Sequence, residues 1–449
     1  MFIASLPSAP CTRRFLWFRI FALALCSTLT GVNADAQQSL TLEHALRLAQ
    51  ERSRHLVAQD LAADASREMA IAAGQLPDPT LRLGISNLPV SGADKFSFTR
   101  DFMTMGSIGL MQEITRADKR EARATRFARE ANLAEASRAV ALAELRRDTA
   151  IAWLDRHYQE RMREVLLMQR DEARLQIEAA DAAYRGGRGA QSDVFAARSA
   201  VALIDDRIAQ TTRQIRTATT RLARWVGQEA ERPLASSPPP VGAVSRLDPD
   251  HLDTALSRHP QIEFMARQEE VARADADVAQ RNRQSDWSVE LMYSQRGPDY
   301  SNMISLNVSI PLQLDQSKRQ DRELAAKLAV VEQRRAQREE VVREHLAEIR
   351  TSLQHLQGNR ERLAHYDSAL VPLAGERTRA TLAAYRGGGG PLSAVLEARR
   401  MEIDTRIERI RLEMETADVW ARLEYSLPEG YEAMVEHRLS PMLSKPAEK

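Results

Sequence analysis

Several short segments of the chain alternate apolar and polar residues, which is the period of a β strand with one apolar face. The clearest segment spans residues 304–310, where Ile, Leu, Val and Ile alternate with Ser, Asn and Ser. Residues 81–86 and 288–293 alternate in the same way, and five apolar residues further along the first half share one parity: Phe96, Phe98, Phe102, Ile108 and Leu110. The pattern predicts two β hairpins, at 80–112 and 288–312, with loops at 87–94 and 296–302.

Outside these hairpins, apolar residues recur every three or four positions, which indicates amphipathic helices. No Gly or Pro occurs between Gly109 and Gly186, so a single helix over 117–184 would be ~100 Å long at 1.5 Å per residue. The second long helix has a heptad seam, with Gly358 and Pro372 as weak points; the seam residues are Val342, Leu346, Ile349, Leu353 and Leu356. The predicted helices are 41–75, 117–184, 192–226, 248–283, 317–385 and 393–425.

The chain contains an internal duplication. Residues 183–190 read AYRGGRGA and residues 384–391 read AYRGGGGP, so the same glycine-rich turn recurs 201 positions later. The same order of elements surrounds both copies, which predicts a tandem repeat of one helix–hairpin–helix unit. We therefore expect a first repeat at 37–228 and a second at 247–428, joined by a Pro/Ser-rich linker at 229–246 and followed by a tail at 429–449.

Composition narrows the class of protein. The 449 residues carry 63 Lys and Arg against 62 Asp and Glu. This balance argues against a nucleic-acid-binding protein, which would show a basic excess. Residues 1–36 resemble a secretory signal peptide, with a basic start, an apolar core and Ala34-Asp35-Ala36 as the cleavage site. Two alternatives to a cleaved signal peptide are that this segment is a membrane anchor or that Cys26 carries a lipid. Both cysteines, Cys11 and Cys26, lie within it, so the mature chain would have no thiol chemistry.

The strands and the long helices make different physical demands. The helices are too long for one globular body and must pack lengthwise. The apolar strand faces need lipid or a core, and the strand edges need partners. Four strands are too few to close a membrane barrel, whose smallest known size is eight. The sequence leaves two possibilities open: a barrel shared among copies, with Ile304 and Leu306 outward and Ser305 and Asn307 inward, or a soluble β subdomain capping a coiled coil.

Specific motifs resemble the TolC family of outer-membrane efflux channels over residues 37–428. The family pattern occurs twice, first as Tyr184, Gly187, Ser192, Asp193, Val194, Phe195 and Ala197, and again as Tyr385, Gly388, Ser393, Ala394, Val395, Leu396 and Ala398. The segments Leu76-Pro77-Asp78-Pro79, Gln112-Glu113-Ile114 and Lys119-Arg120 resemble the heavy-metal cation branch of that family. The resemblance implies a mainly α fold with a small β part, in which three protomers share a twelve-stranded β-barrel above a long α-helical coiled-coil periplasmic tunnel.

The function that this resemblance implies is passive. The homotrimer would lie in the outer membrane of a Gram-negative bacterium, surrounded by lipid, and would conduct substrates, with heavy-metal cations expected, across it. An inner-membrane resistance-nodulation-division pump would supply the energy through a periplasmic adaptor (membrane fusion) protein. No nucleic acid, metal site, cofactor or enzymatic activity is expected. The alternative is a periplasmic coiled-coil adaptor or scaffold protein, which usually has one helical hairpin and a lipoyl-like β domain.

Two groups of residues are candidate functional sites by this resemblance. The periplasmic tip, where an adaptor would dock, consists of Tyr184, Arg185, Gly186, Gly187, Arg188, Gly189, Tyr385, Arg386, Gly387, Gly388, Gly389 and Gly390. The candidate tunnel constriction consists of Ser192, Asp193, Ser393 and Glu397. Carboxylates repeated around a pore favour cations. The competing interpretations are that the glycines only permit tight turns and that Asp193 only caps a helix. Ala394 departs from the family, which often has Asp there, so one acidic ring would be missing.

Overall fold

The computed structural model describes residues 39–236, 256 and 259–426. The predicted leader, the linker beyond residue 236 and the predicted tail at 429–449 lie outside these residues, and the repeat boundaries stay predictions. The first repeat contains α1 (Leu42–Arg52), α2 (Arg54–Ala73), β1 (Thr80–Ser86), β2 (Met105–Ile114), α3 (Ala117–Arg185) and α4 (Gln191–Val226). The second contains α5 (Pro260–Arg281), β3 (Trp287–Gln295), β4 (Met303–Ser309), α6 (Gln320–His365), a π turn (Tyr366–Leu370), α7 (Val371–Arg386) and α8 (Leu392–Glu424).

The predicted fold class is confirmed: the described chain is mainly helical, carries one small antiparallel sheet, and repeats one order of elements. The long helix α3 packs against α1, α2, α4, α5 and α8. Large apolar residues of α3 fill the main core, among them Trp153, Leu154, Tyr158 and Met162. Leu222 of α4 and Ile349 of α6 pack into the same cluster, so the predicted heptad positions form the seam between the helices.

Two local predictions were wrong. The first helix is broken at Ser53, which adopts an extended backbone, and its hydroxyl accepts a hydrogen bond from Leu56 N at 3.3 Å. A serine side chain can replace a helical backbone bond in this way and begin a new helix. Phe96 and Phe98 belong to no strand, because Phe96 has a φ of +56° and β2 begins only at Met105. The loop of the first hairpin is therefore longer than the alternating pattern indicated.

The four strands form one sheet in the order β1-β2-β3-β4, antiparallel throughout. The pairing of β2 with β3 joins the hairpins of the two repeats. At its base the buried Lys119 ammonium lies 2.8 Å from a carboxylate oxygen of Asp286, whose other oxygen accepts from Arg116 N at 3.1 Å. This ion pair fixes the start of α3 against the start of β3.

Candidate functional site

The turn between α3 and α4 is a glycine-terminated helix end of the Schellman type. Arg188 N donates to Ala183 O at 2.9 Å and Gly187 N donates to Tyr184 O at 3.0 Å. Gly187 has a φ of +70°, the left-handed conformation that this motif requires at that position and that glycine adopts without steric cost. The left-handed Gly187 therefore terminates the 69-residue helix α3 abruptly.

The turn between α7 and α8 repeats this geometry. Gly389 N donates to Ala384 O at 2.9 Å, Gly388 N donates to Tyr385 O at 3.1 Å, and Gly388 has a φ of +76°. Each of these bonds lies 201 positions after its counterpart, so the sequence repeat is also a repeat of hydrogen bonds. These hydrogen bonds show directly that the glycines form the predicted turns.

Both glycine turns lie at the same end of the helices. One buried cluster joins the helices next to the turns, and it contains Ala180 of α3, Val194 and Ala197 of α4, and Leu392 and Val395 of α8. Tyr385 of α7 packs against this cluster and is half-buried. The structure therefore brings the two sets of predicted tip residues together on one small surface.

The tip arginines are exposed. Arg185 forms an ion pair with Asp181 one turn earlier on α3, and its side chain is 78% exposed. Neither Arg188 nor Arg386 has a side-chain hydrogen bond or ion pair among the described residues. Tyr184 is 45% exposed. The side chains of Arg188 and Arg386 are thus available to another molecule, whereas Arg185 is paired within its own helix.

The four candidate constriction residues separate into two pairs. Asp193 stands at the start of α4, where its carboxylate accepts from Ala190 N at 3.3 Å, so it does cap the helix as the competing interpretation held. Ser192 beside it is exposed. Ser393 and Glu397 line a cleft of about 520 Å³ between α4 and α8, hereafter the α4–α8 cleft. Asp193 is not among the residues that line it, so only Ser393 and Glu397 share a concave site within one protomer.

Sequence reasoning missed the buried polar groups beside this cleft. Arg399 of α8 is 8% exposed and donates from Nη1 to Gln169 Oε1 at 3.1 Å and to the Glu172 carboxylate of α3. Gln176, one turn further along α3, is 6% exposed, and neither atom of its amide group has a hydrogen-bond partner. The only available signal was that Arg399 matches Arg198 in the repeat, but Arg198 is exposed, and a sequence alone does not distinguish the two environments.

Two of the described histidines, His157 and His259, pack against other aromatic rings. His157 stacks on Trp153 with ring centroids 5.2 Å apart, and burial together with the nearby Arg161 charge lowers the pKa of His157 to about 4. Burial likewise lowers the pKa of His259, which lies against His345, to about 4. Within the described ranges no group of three or more His, Cys, Asp or Glu side chains is placed to hold a metal ion.

One face of the sheet is a continuous apolar surface. Two rows of side chains cross all four strands in register, and most of their members are more than half exposed: Leu83, Ile108, Tyr293 and Ile304 in one row, and Leu81, Leu110, Leu291 and Leu306 in the other. The opposite face carries polar groups such as Arg82 and Glu290, which form an ion pair at 3.3 Å. Contiguous exposed apolar surface of this kind marks a lipid or protein contact.

Both edges of the sheet are open. Within the described residues β1 pairs only with β2, and β4 pairs only with β3. Each outer strand therefore presents unpaired N–H and C=O groups that can template another strand. Among the helices of the described ranges, none carries an apolar stretch of the length that a bilayer span requires.

The duplicated helices, the glycine turns and the shared sheet together form a TolC-like fold. Residues 251–427 match the family model of the outer membrane efflux proteins. No curated protein matches the sequence.

Solved channel structures have the same fold at low sequence identity. The outer-membrane channel OprN is 18% identical, with a TM-score of 0.72 over 87% of this chain and 90% of its own. The outer membrane protein VceC of Vibrio cholerae is 17% identical, with a TM-score of 0.71 over 87% and 96%. CusC, whose structures concern folding and transmembrane channel formation, is 14% identical, with a TM-score of 0.71 over 87% and 92%.

Proposed function

We propose that the protein is the outer-membrane channel of a tripartite efflux system in a Gram-negative bacterium. In this proposal it is a passive duct and not an enzyme. An inner-membrane pump and a periplasmic adaptor deliver its substrates. The observation that carries the proposal is the open four-stranded sheet, because its apolar face and both of its edges lack partners within the described protomer.

Lipid would cover the apolar face of the sheet, and strands of other copies would pair with its two open edges. Backbone groups in a bilayer must all be paired, and among sheets only a closed barrel achieves this. Four strands are half of the smallest known barrel, so several copies must join β1 of one to β4 of the next. Three copies would give twelve strands, with Leu306 and its row toward lipid and Asn307 toward the pore. The match of residues 251–427 to outer membrane efflux proteins supports this assembly.

The glycine turns are proposed as the adaptor-facing end of the tunnel. Supporting this assignment, they lie at the ends of the helices, share one buried cluster and expose Arg188 and Arg386. Glu397 and Asp193 are proposed to lie near the narrowest part of the duct, where repetition around the trimer would gather their carboxylates and favour cations.

Heavy-metal cations are the cargo that we propose. This part rests on the resemblance of residues 76–79 and 112–114 to the metal-cation branch. The two segments lie together, because Gln112 Nε2 donates to Pro77 O at 2.7 Å. Complementation of a channel-deleted strain, challenged separately with metal salts and with organic toxicants, tests the cargo: rescue against the organic compounds alone would reject metal cations.

A pair of neighbouring strand variants tests the channel itself. Leu306→Arg places a charge on the apolar face, which costs about 2–4 kcal/mol for a residue near the centre of a bilayer. Asn307→Arg adds the same side chain one position later, on the opposite face of β4. We expect Leu306→Arg to lower the amount of protein in outer-membrane fractions and of heat-resistant trimers in electrophoresis, and Asn307→Arg to leave both near the parent level.

The outcome separates the proposal from its main alternative. A periplasmic scaffold protein would be extracted without detergent and would tolerate both substitutions equally. Equal behaviour of the two variants, or a soluble monomeric parent protein, would therefore reject the channel.

A further inference from the structure

The segment between β4 and α6 carries the two most exposed large apolar side chains of the described residues. Leu312 is 76% exposed and Leu314 is 90% exposed. Both continue the apolar residues at every second position of β4, which run from Ile304 to Ile310. The apolar surface of the sheet therefore extends past the end of its outer strand.

Three side-chain hydrogen bonds fasten this segment to residues 282–285, which follow α5. They run from Ser285 Oγ to Pro311 O at 2.6 Å, from Gln313 Nε2 to Asn282 O at 3.0 Å, and from Gln316 Nε2 to Arg283 O at 3.0 Å. Gln313 thus reaches toward the protein, while Leu312 and Leu314 on either side of it stay exposed. The exposure of the two leucines is therefore fixed by the hydrogen bonds of their neighbours.

The apolar face of β4 is short for a membrane barrel. From Ile304 to Ile310 the chain rises about 20 Å at about 3.3 Å per residue, which a strand tilt of about 40° reduces to about 15 Å along the membrane normal. The apolar band of an outer-membrane barrel is about 25 Å tall. Extended chain from Ile310 to Leu314 can add up to about 10 Å, which closes the difference.

The residues around the segment mark a boundary between lipid and water. Trp287 begins β3 on the apolar face, is 41% exposed, and lines one surface hollow together with Ile310 and Pro311. Aromatic side chains of this kind form the girdles of membrane barrels at the two interfaces. On the other side of the segment, the side chain of Lys318 is 80% exposed, and a charged group of this kind is costly in hydrocarbon.

We infer that residues 310–314 are a lipid-contacting extension of the sheet, in which Leu312 and Leu314 lie against phospholipid acyl chains at the helical, periplasmic end of the barrel. This inference rests on the proposed channel, since it needs the sheet to lie in a membrane. It assigns to lipid a segment that belongs to no strand and no helix. The extension would set the depth at which the protein sits in the bilayer.

Spin labels on single cysteines of the full-length protein in phosphatidylcholine bilayers test the inference. The labelled variants are Leu306→Cys, Leu312→Cys, Leu314→Cys and Lys318→Cys, in a background in which Cys11 and Cys26 are serine. Power saturation compares collisions of each label with oxygen, which concentrates in hydrocarbon, and with a water-soluble nickel chelate. We expect oxygen to be the stronger relaxant at 306, 312 and 314, and the nickel chelate at 318.

The label at 306 separates failure of this inference from failure of the channel. If 306 responds to oxygen while 312 and 314 respond to nickel as 318 does, the segment lies in water and the inference is wrong, although the channel stands. Weak response to both relaxants at 312 and 314 would mean that a second copy or another protein covers them, which also overturns it. A nickel response at 306 would reject the membrane sheet itself.

The thickness of the bilayer provides a second test. In the double variant Leu312→Ser, Leu314→Ser the apolar band is shorter, so its trimers should lose more thermal stability in thicker dioleoyl lipid than in thinner dimyristoleoyl lipid. Leu328→Ser is the matched control, because Leu328 is an exposed leucine (51%) on α6, and any loss there should be equal in the two lipids. An equal loss of the double variant in both lipids would reject the lipid contact.

Discussion

Replacing one glycine of the second turn should weaken that turn far more than replacing its neighbour. Gly388 and Gly389 are adjacent and exposed, and a Cβ at Gly388 would meet no atom within 4 Å, while one at Gly389 would lie 3.8 Å from the nearest atom. They differ in backbone conformation, because only Gly388 has a positive φ. Alanine in the left-handed region costs about 1–2 kcal/mol, whereas alanine at a compatible glycine stabilises by about 0.4–1 kcal/mol.

The two variants should therefore differ by about 2 kcal/mol in the free energy of opening the turn, or roughly thirtyfold in the opening equilibrium. Hydrogen exchange at the amide of residue 389, which donates to Ala384 O, reports this opening directly. We expect faster exchange there in Gly388→Ala and unchanged or slower exchange in Gly389→Ala. The Arg188 amide, which makes the same bond in the first turn, is an internal reference and should not change in either variant.

One result would refute the reasoning. If both variants exchange equally at this turn, then its stability does not depend on the left-handed glycine, and the hydrogen-bond repeat is a consequence of helix packing. A loss of protection in Gly389→Ala alone would mean that the 3.8 Å approach to Ala384 O matters more than the backbone conformation.

Three other predictions address the tip, permeation and the pH dependence of stability. Valine in place of Gly187 or Gly388 should abolish complementation of export while the protein remains in the membrane, because a β-branched residue distorts the turn and not the sheet; unimpaired export would remove the tip role. The double variant Asp193→Ala, Glu397→Ala should change cation block or single-channel conductance in planar bilayers, and identical currents would exclude an acidic constriction. His157, whose pKa is lowered to about 4 by burial, should make the protein less stable as the pH falls from about 6.5 toward 4, because the unfolded chain takes up that proton first. Thermal melting above and below that range should show a smaller loss in His157→Gln, and equal losses would mean that other groups cause it.

The sequence predicted the elements whose signals are local and repeated. The glycine turn ended α3 within one residue of its predicted end. Alternation predicted that Leu81 and Leu83 share a face of one strand and that Ile108 and Leu110 share a face of the next, and the register brings these two faces together. Period two and period 3.6 follow from backbone geometry alone, so no knowledge of tertiary contacts was needed.

The sequence could not predict features that depend on contacts far along the chain. Nothing local distinguishes the serine that breaks the first helix from a serine within a helix. Phe96 fits an alternating pattern, yet its amide donates to Pro89 O at 2.7 Å in an irregular loop. Burial of Gln176 and Arg399 arises only when α3 and α8 pack together, so the cleft beside the candidate constriction had no signal in the sequence.

The two long helices of the repeats differ in continuity. Helix α3 continues without interruption, whereas its counterpart is split by the π turn at Tyr366–Leu370, just before Pro372. Proline removes a backbone donor and crowds the preceding turn, and π turns mark sites where helices bend. In a ring of copies, continuous α3 helices would thus alternate with helices that contain a π turn. If such a ring widened, we expect the helices with the π turn to bend and the α3 helices to keep their positions.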